Sequence, residues 1–148
     1  MDVFLITLNK SKKMNIQQIG TIKTPYKKLS DCPNNISNDG PMCEIVVDSA
    51  YEKALLGVDN LNKILILYWL GSDNHKIILQ GHGHGDQTQL RGIFTLRGTQ
   101  RPNPIGVAVL KIEKVEGNSV FVKGLDCLDG TILLDIKPAI YQELCESK

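Results

Sequence analysis

The apolar residues of this chain fall into many short runs separated by turn-forming residues, and this pattern limits the choice of fold more than any other feature. We interpret eight runs as strands: Ile19–Thr24, Cys43–Val47, Ile64–Leu70, Ile77–Leu79, Gly92–Arg97, Val107–Val115, Ser119–Lys123 and Thr131–Ile136. A doubly wound α/β sheet would need a helix after nearly every strand. We therefore predict a mainly β chain, and closure of the strands into a barrel would leave no exposed edges.

One segment has the spacing of a helix. Ser49-x-x-Glu52 matches a capping box, in which side chains satisfy free backbone N–H groups of the first turn. Tyr51 and Leu55 follow at an interval that places them on one helical face. We expect one short helix here, ending near Gly57.

Composition leaves the class of partner open. A formal net charge of +1 neither demands nor excludes a nucleic acid. The four cysteines include no C-x-x-C pair, so we expect reduced thiols rather than a zinc ribbon or a disulfide framework. Met1–Leu8 is too short to span a bilayer, and basic residues follow it instead of preceding it, unlike a signal peptide. We expect a cytoplasmic protein with no membrane segment.

The chain length suits one domain. We assign residues 1–17 to an N-terminal extension that could add a strand, 18–142 to the barrel and 143–148 to a C-terminal tail. Met14 is an alternative start to Met1.

A glycine- and histidine-rich stretch, Gly81–Gln89, contains G-x-G-x-G rather than the dinucleotide-binding G-x-G-x-x-G. His82, His84 and Asp86 could hold a metal, with His75 as a fourth ligand. Three glycines would make such a site costly to order. We therefore favour a surface loop and predict no metal.

Two polar clusters are the candidates for a functional site. In the first, Pro102 and Pro104 restrict the backbone and give a stiff loop that presents Arg97, Arg101 and Asn103. The second runs from Asp126 to Thr131 and contains Asp-Gly-Thr, which alone is a common turn. Rigid loops on a barrel are where sites usually lie.

These clusters, taken in order, resemble one family. Arg97 with Arg101-Pro102-Asn103-Pro104-Ile105-Gly106, then Leu128-Asp129-Gly130-Thr131, then Asp135-Ile136-Lys137-Pro138, closely resembles the TsaA-like (TrmO) family. The similarity extends from about Ile19 to Pro138. It implies a single-sheeted closed β-barrel, a homodimer and S-adenosylmethionine as cofactor. It also implies methylation of the exocyclic N6 amine of threonylcarbamoyladenosine beside the tRNA anticodon.

The resemblance also implies site residues. The implied cofactor contacts are Pro33, Asn34, Asn35, Arg97, Val109, Asp129, Gly130, Thr131 and Ile132. For the substrate we expect Arg101, Asn103 and Lys137, because a guanidinium fork matches the two oxygens of the threonylcarbamoyl carboxylate. A further group of lysines near the first strand would meet tRNA phosphates without reading sequence: Lys23, Lys27 and Lys28.

Methyl transfer from S-adenosylmethionine requires few catalytic groups from the protein. A sulfonium is already a strong electrophile, so the protein mainly aligns the reacting atoms. One carboxylate is needed to accept the amine proton, and the candidates are Asp129 first and Asp135 second.

Several positions depart from the family's pattern, among them Lys63, Gly71, Ile132 and Ala139. These departures leave two alternatives open. One is a non-catalytic S-adenosylmethionine-binding sensor, and the other is a methyltransferase for a small molecule.

Overall fold

The computed structural model describes residues 14–71, 79–81 and 90–140, and its eight strands are all antiparallel to their neighbours. The strands are β1 (Gly20–Lys23), β2 (Met42–Val47), β3 (Lys63–Trp69), β4 (Leu79–Gly81), β5 (Leu90–Gly92), β6 (Ile105–Glu116), β7 (Ser119–Lys123) and β8 (Thr131–Pro138). Six of them close into a barrel in the order β1-β2-β7-β6-β3-β8, and β4 pairs with β5 in a two-stranded sheet. The predicted closed barrel is confirmed.

The barrel interior follows from strict alternation along the strands. In β3, Ile64, Ile66 and Tyr68 are at most 2% exposed, whereas the residues between them are half-buried. Successive side chains of a strand point to opposite faces, so one set fills the barrel and the other faces outward. The interior is built mostly from Ile, Val and Leu, as the sparse aromatics require.

The predicted helix forms only as tight 3₁₀ turns, over Ser49–Leu55 and Val58–Asn60. The prediction of a capping box is wrong, because Asp48 instead of Ser49 occupies the N-cap and makes no capping side-chain hydrogen bond. Leu55 is buried against the barrel core, so the apolar face predicted for this segment does pack inward. Gly57, with φ of +88°, ends the first turn in a conformation that suits glycine.

The strand predicted over Gly92–Arg97 is wrong beyond its first residue. β5 ends at Gly92, and Ile93–Thr95 form a 3₁₀ turn. The Thr95 hydroxyl donates to the Gly92 carbonyl at 2.8 Å, and the Arg101 guanidinium donates to carbonyls further along the same segment. Side chains therefore satisfy carbonyls that a sheet ladder would otherwise have to satisfy.

Other predicted strands agree with the structure more closely. β7 has the predicted bounds, and Gly117 in the tight turn before it has φ of +57°. Of the predicted strand Ile77–Leu79, only Leu79 lies among the described residues, where it opens β4. The histidine-rich loop after Gly81 lies outside the described residues. No helix in the described part of the chain is long and apolar enough to cross a membrane.

Candidate functional site

A cleft of about 880 Å³ opens at the mouth of the barrel, where β3 ends and β6 begins. Three further segments complete its walls: the loop after β1, the loop before β6 and the connection between β7 and β8. Its lining includes Leu29, Cys32, Pro33, Asn34, Asn35, Ile36, Tyr68, Leu70, Arg97, Gly98, Thr99, Gln100, Arg101, Ile105, Asp126, Leu128 and Thr131. The volume lies within the range of sites that enclose a small molecule.

Tyr68 brings a hydroxyl from the barrel interior to the cleft. Its cross-strand partner on β6 is Gly106, and a Cβ at that position would lie 2.4 Å from the Tyr68 ring. Only glycine therefore lets the ring lie against the β6 backbone. In this position the Tyr68 hydroxyl donates to Oδ1 of Asp126 at 3.2 Å.

Asp126 is the carboxylate that the cleft contains, and its pKa is raised above the ordinary value, mainly by burial. The hydrogen bond from Tyr68 and the positive charge of Arg97 oppose that rise. Burial, with the nearby negative charge of Asp126, also raises the pKa of the Tyr68 hydroxyl. The cleft thus holds a carboxylate that binds a proton more readily than a solvated one does.

Asp129 has the opposite environment, although it lies only three residues further along the chain. Its carboxylate accepts the Thr24 backbone N–H at 3.0 Å and forms an ion pair with Lys27. The Lys27 hydrogen bond is the largest cause that lowers the Asp129 pKa, followed by the Thr24 N–H. Asp129 ties the turn before β8 to the end of β1, and it lies outside the cleft lining.

Asp135 lies on the outer surface of β8, where it pairs with a neighbour instead of facing the cleft. Its Oδ2 lies 2.7 Å from Nζ of Lys137, and its Oδ1 accepts the backbone N–H of Ile136 at 2.9 Å. Asp135, expected from the sequence as a proton acceptor, and Lys137, expected as a substrate contact, therefore form an ion pair with each other outside the cleft.

Arg101 lines the cleft, but its guanidinium is also used to hold the loop before β6. It donates to the carbonyls of Leu96 at 3.1 Å, Gly98 at 3.2 Å and Ile93 at 3.1 Å. These bonds brace the segment that carries Arg97, whose charge acts on Asp126. These hydrogen bonds stiffen the loop in addition to Pro102 and Pro104.

The structure separates the site residues expected from the sequence into two sets. Those that line the cleft are Pro33, Asn34, Asn35, Arg97, Arg101 and Thr131. Those outside it are Asn103, Val109, Asp129, Gly130, Ile132, Asp135 and Lys137. Two of the second set, Val109 and Ile132, face outward from the barrel, as cross-strand neighbours of Leu65 and Trp69 on β3.

Two residues of the candidate site, Tyr68 and Asp126, were not expected from the sequence. Tyr68 carried a signal, because it continues the inward positions Ile64 and Ile66, and a buried tyrosine hydroxyl needs a partner. Asp126 stood in a cluster that was already of interest, but nothing in the sequence distinguished it from Asp129.

The described residues include no group of three or more His, Cys, Asp or Glu side chains placed to hold a metal ion. The histidines considered for such a site lie outside the described ranges.

Comparison with known proteins gives a consistent set of relatives. A family model described as the tRNA-methyltransferase O N-terminal domain matches residues 21–143. The probable S-adenosyl-L-methionine-binding protein VirR of Rhizobium radiobacter is 46% identical over 120 residues, covering 81% of this chain and 67% of that protein. An S-adenosyl-L-methionine-binding protein of Archaeoglobus fulgidus is 36% identical over 127 residues, covering 84% and 88%.

A third relative is a tRNA (adenine(37)-N6)-methyltransferase of Mus musculus, 40% identical over 93 residues, which cover 60% of this chain and 21% of that protein. A crystal structure of TrmO from Pseudomonas aeruginosa superposes with a TM-score of 0.71 at 25% identity, covering 87% of this chain and 56% of that one. A second TrmO crystal structure gives a TM-score of 0.74 at 22% identity, covering 92% and 62%. The chain thus spans about three fifths of the solved structures that it matches.

Proposed function

Because the chain belongs to the family of the tRNA-methyltransferase O N-terminal domain, we propose that it transfers a methyl group from S-adenosylmethionine to the exocyclic N6 amine of an adenine in tRNA. The finer proposal is that this adenine is threonylcarbamoyladenosine beside the anticodon. The observation that carries the proposal is the cleft at the barrel mouth. It combines the partly buried, hydrogen-bonded carboxylate of Asp126 with apolar and polar side chains that suit a nucleoside.

The residues of the cleft suit S-adenosylmethionine. Leu29, Ile36 and Leu128 provide apolar walls for an adenine ring, and the carboxamides of Asn34 and Asn35 provide hydrogen-bonding groups beside them. Most ligand sites combine apolar walls with a few polar groups in this way. The Asp126 carboxylate adds a negative charge that favours a cationic ligand. We assign the cofactor to this cleft.

Bound S-adenosylmethionine supplies an electrophilic methyl group on a sulfonium, and the sulfur leaves as a neutral thioether. Transfer of that methyl group to N6 would leave the amine with one proton to lose, and a carboxylate of the cleft would accept it. The protein must therefore align the amine and accept one proton.

We assign the proton acceptor to Asp126. Its carboxylate lines the cleft, its pKa is raised, and Tyr68 fixes the position of one oxygen. The sequence favours Asp129 and then Asp135 for this role, but ion pairs with Lys27 and Lys137 engage them outside the cleft. The ion pair with Lys27 makes Asp129 the weaker base, because it stabilises the charged form and lowers the Asp129 pKa.

We also propose a homodimer, which the outer face of the barrel supports. Outward-facing residues of β3 and β6 form an apolar surface: Leu65, Leu67, Trp69, Ile105, Val107 and Val109. Ile132 on β8 continues it. Two-fold packing of this face would bury it and bring Val109 and Ile132, which the family resemblance makes cofactor contacts, towards the partner's cleft. Light scattering of the parent should give the mass of two chains, and Val109→Glu should give one. A monomeric parent would refute the dimer.

The function is tested by incubating the protein with tRNA and labelled S-adenosylmethionine, followed by nucleoside mass spectrometry. We expect methyl transfer to the N6 of threonylcarbamoyladenosine and none to tRNA that lacks the threonylcarbamoyl group. Equal methylation of both tRNAs would rule out recognition of that group. Cofactor binding without any transfer would favour the sensor, in keeping with the relatives named only as binding proteins.

A further inference from the structure

Three lysines form a row across three adjacent strands of the barrel. Lys63 on β3 is the cross-strand partner of Lys111 on β6. Lys123 ends β7, whose preceding residue pairs with the residue that follows Lys111 on β6. Together with Asn38 and Glu113 they line a second cavity of about 370 Å³. We call Lys63, Lys111 and Lys123 the lysine row.

The positive charge of the lysine row is not neutralised within the described part of the chain. The four ion pairs found there involve Lys23, Lys27, Lys114 and Lys137, and none involves a lysine of the row. Among the described residues, Glu113 is the only carboxylate that lines this cavity. Like charges placed directly opposite each other across a strand pair destabilise the sheet. The fold thus retains a concentrated charge that its own described residues do not balance.

The lysine row is placed to contact a polyanion that also reaches the cleft. Strands lie about 4.8 Å apart, so the three stems span on the order of 10 Å across the sheet. Lys63 and Tyr68 stand at opposite ends of β3, on the order of 17 Å apart along the strand. A nucleic-acid strand of several nucleotides covers that distance, and in the proposed homodimer it would pass along the border of the apolar surface of β3 and β6 instead of crossing it.

We propose that the lysine row is a docking surface for the sugar–phosphate backbone of the tRNA, which positions the target adenine in the cleft. This inference rests on the proposed function. Lysine suits the role because it is a flexible point charge that meets phosphates without reading sequence. Two of the three lysines expected from the sequence to contact phosphates fit less well, because Lys23 pairs with Glu44 and Lys27 pairs with Asp129.

The test compares two double variants with the same change in net charge. Lys111→Gln/Lys123→Gln removes two exposed members of the row, and Lys53→Gln/Lys114→Gln removes two exposed lysines elsewhere. Binding of threonylcarbamoylated tRNA is measured over a series of salt concentrations. For the row variant we expect the slope of log K against log salt to flatten by about 1.4 to 1.8, since each lost phosphate contact removes about 0.7 to 0.9.

Further readouts separate the lysine row from the rest of the account. We expect the row variant to have a raised KM for tRNA with kcat, cofactor affinity and oligomeric mass unchanged, and the control variant to behave as the parent. An unchanged slope in the row variant, or an equal change in both variants, would overturn the docking surface. A lower oligomeric mass in the row variant would also overturn it, by making the row a contact between subunits. A row-dependent slope in a parent that transfers no methyl group would support the docking surface and refute the proposed function.

Discussion

Asp126 and Asp129 belong to the same connection between β7 and β8, yet their surroundings shift their pKa values in opposite directions. Burial in the cleft wall raises the pKa of Asp126, and an ammonium group and a backbone N–H lower the pKa of Asp129. The first carboxylate is suited to accept a proton and the second to hold a turn. Residue type and local spacing do not distinguish the two, whereas contacts with distant parts of the chain do.

The distant contacts come from the two strands that flank β8, which are β1 and β3. Tyr68, at the end of β3, points inward to Asp126, whereas Lys27 and Thr24 follow β1 and reach Asp129. Closure of the barrel brings both strand ends to the same mouth. One connection can therefore provide a reactive group and a structural group side by side.

The largest expected effect is on turnover. Asp126→Asn keeps the shape of the side chain and an oxygen to accept the Tyr68 hydrogen bond, but it cannot take up the N6 proton. We expect kcat to fall by on the order of 100-fold or more. Cofactor affinity, measured by calorimetry, should change only a few-fold. Parent-like turnover in this variant would exclude Asp126 as the proton acceptor.

A smaller effect is expected at Arg101. Because its guanidinium holds three carbonyls of the loop that carries Arg97, Arg101→Ala should loosen one wall of the cleft. We expect cofactor affinity to weaken by about 10-fold, or 1.4 kcal/mol. The role expected from the sequence, in which Arg101 binds the threonylcarbamoyl carboxylate, makes a different prediction. In that case cofactor affinity would be nearly unchanged and tRNA methylation would be abolished. Calorimetry beside a methylation assay decides between them.

Asp129→Asn should affect stability more than chemistry. The variant replaces a charged acceptor of the Thr24 N–H by a neutral one and loses the ion pair with the exposed Lys27, so we expect a loss of about 1 kcal/mol in the free energy of unfolding at pH 7. Because folding lowers the Asp129 pKa, this contribution is present above the ordinary value of 3.8 and disappears as the pH falls through the lowered value. Urea unfolding of parent and variant should therefore converge at low pH. A constant difference would contradict the assignment.

The smallest effect is expected at Tyr68. The Tyr68 hydrogen bond lowers the Asp126 pKa, so its removal in Tyr68→Phe should raise that pKa further. We expect the acidic limb of the pH–rate profile to move to higher pH, with cofactor affinity preserved. An unmoved limb together with reduced activity would mean that Tyr68 acts only by packing.

Local sequence patterns predicted much of the barrel. They failed where side chains donate hydrogen bonds to backbone carbonyls that a strand would pair with its neighbour. The bounds of β7 were predictable because the Gly117 turn precedes it and its own residues alternate. The turn at Ile93–Thr95 was not, because the Arg101 guanidinium holds carbonyls that would otherwise pair in a sheet. The alternation of apolar residues does not reveal a side-chain donor that lies five to eight residues further along the chain.

The candidate site shows the same division. The motif residues Arg97 and Thr131 could be expected to meet in the cleft because they lie in dense polar clusters. The pairing of Tyr68 with Asp126 joins residues that are 58 positions apart in sequence, and it depends on the space that Gly106 leaves for the ring. Pairings of this kind are set by strand register, which hydrophobic pattern alone fixes only in part.

We propose that Asp126, and not Asp129, accepts the amine proton in the cleft. The most direct test is the single-turnover rate of methyl transfer to threonylcarbamoylated tRNA, followed across pH in the parent, Asp126→Asn and Asp129→Asn. The account predicts a parent rate that falls through one ionisation at a pH above 3.8, the ordinary aspartate value. It predicts the same profile in Asp129→Asn and a slow, pH-independent rate over that range in Asp126→Asn. A parent-like profile in Asp126→Asn, with the ionisation lost in Asp129→Asn instead, would contradict it.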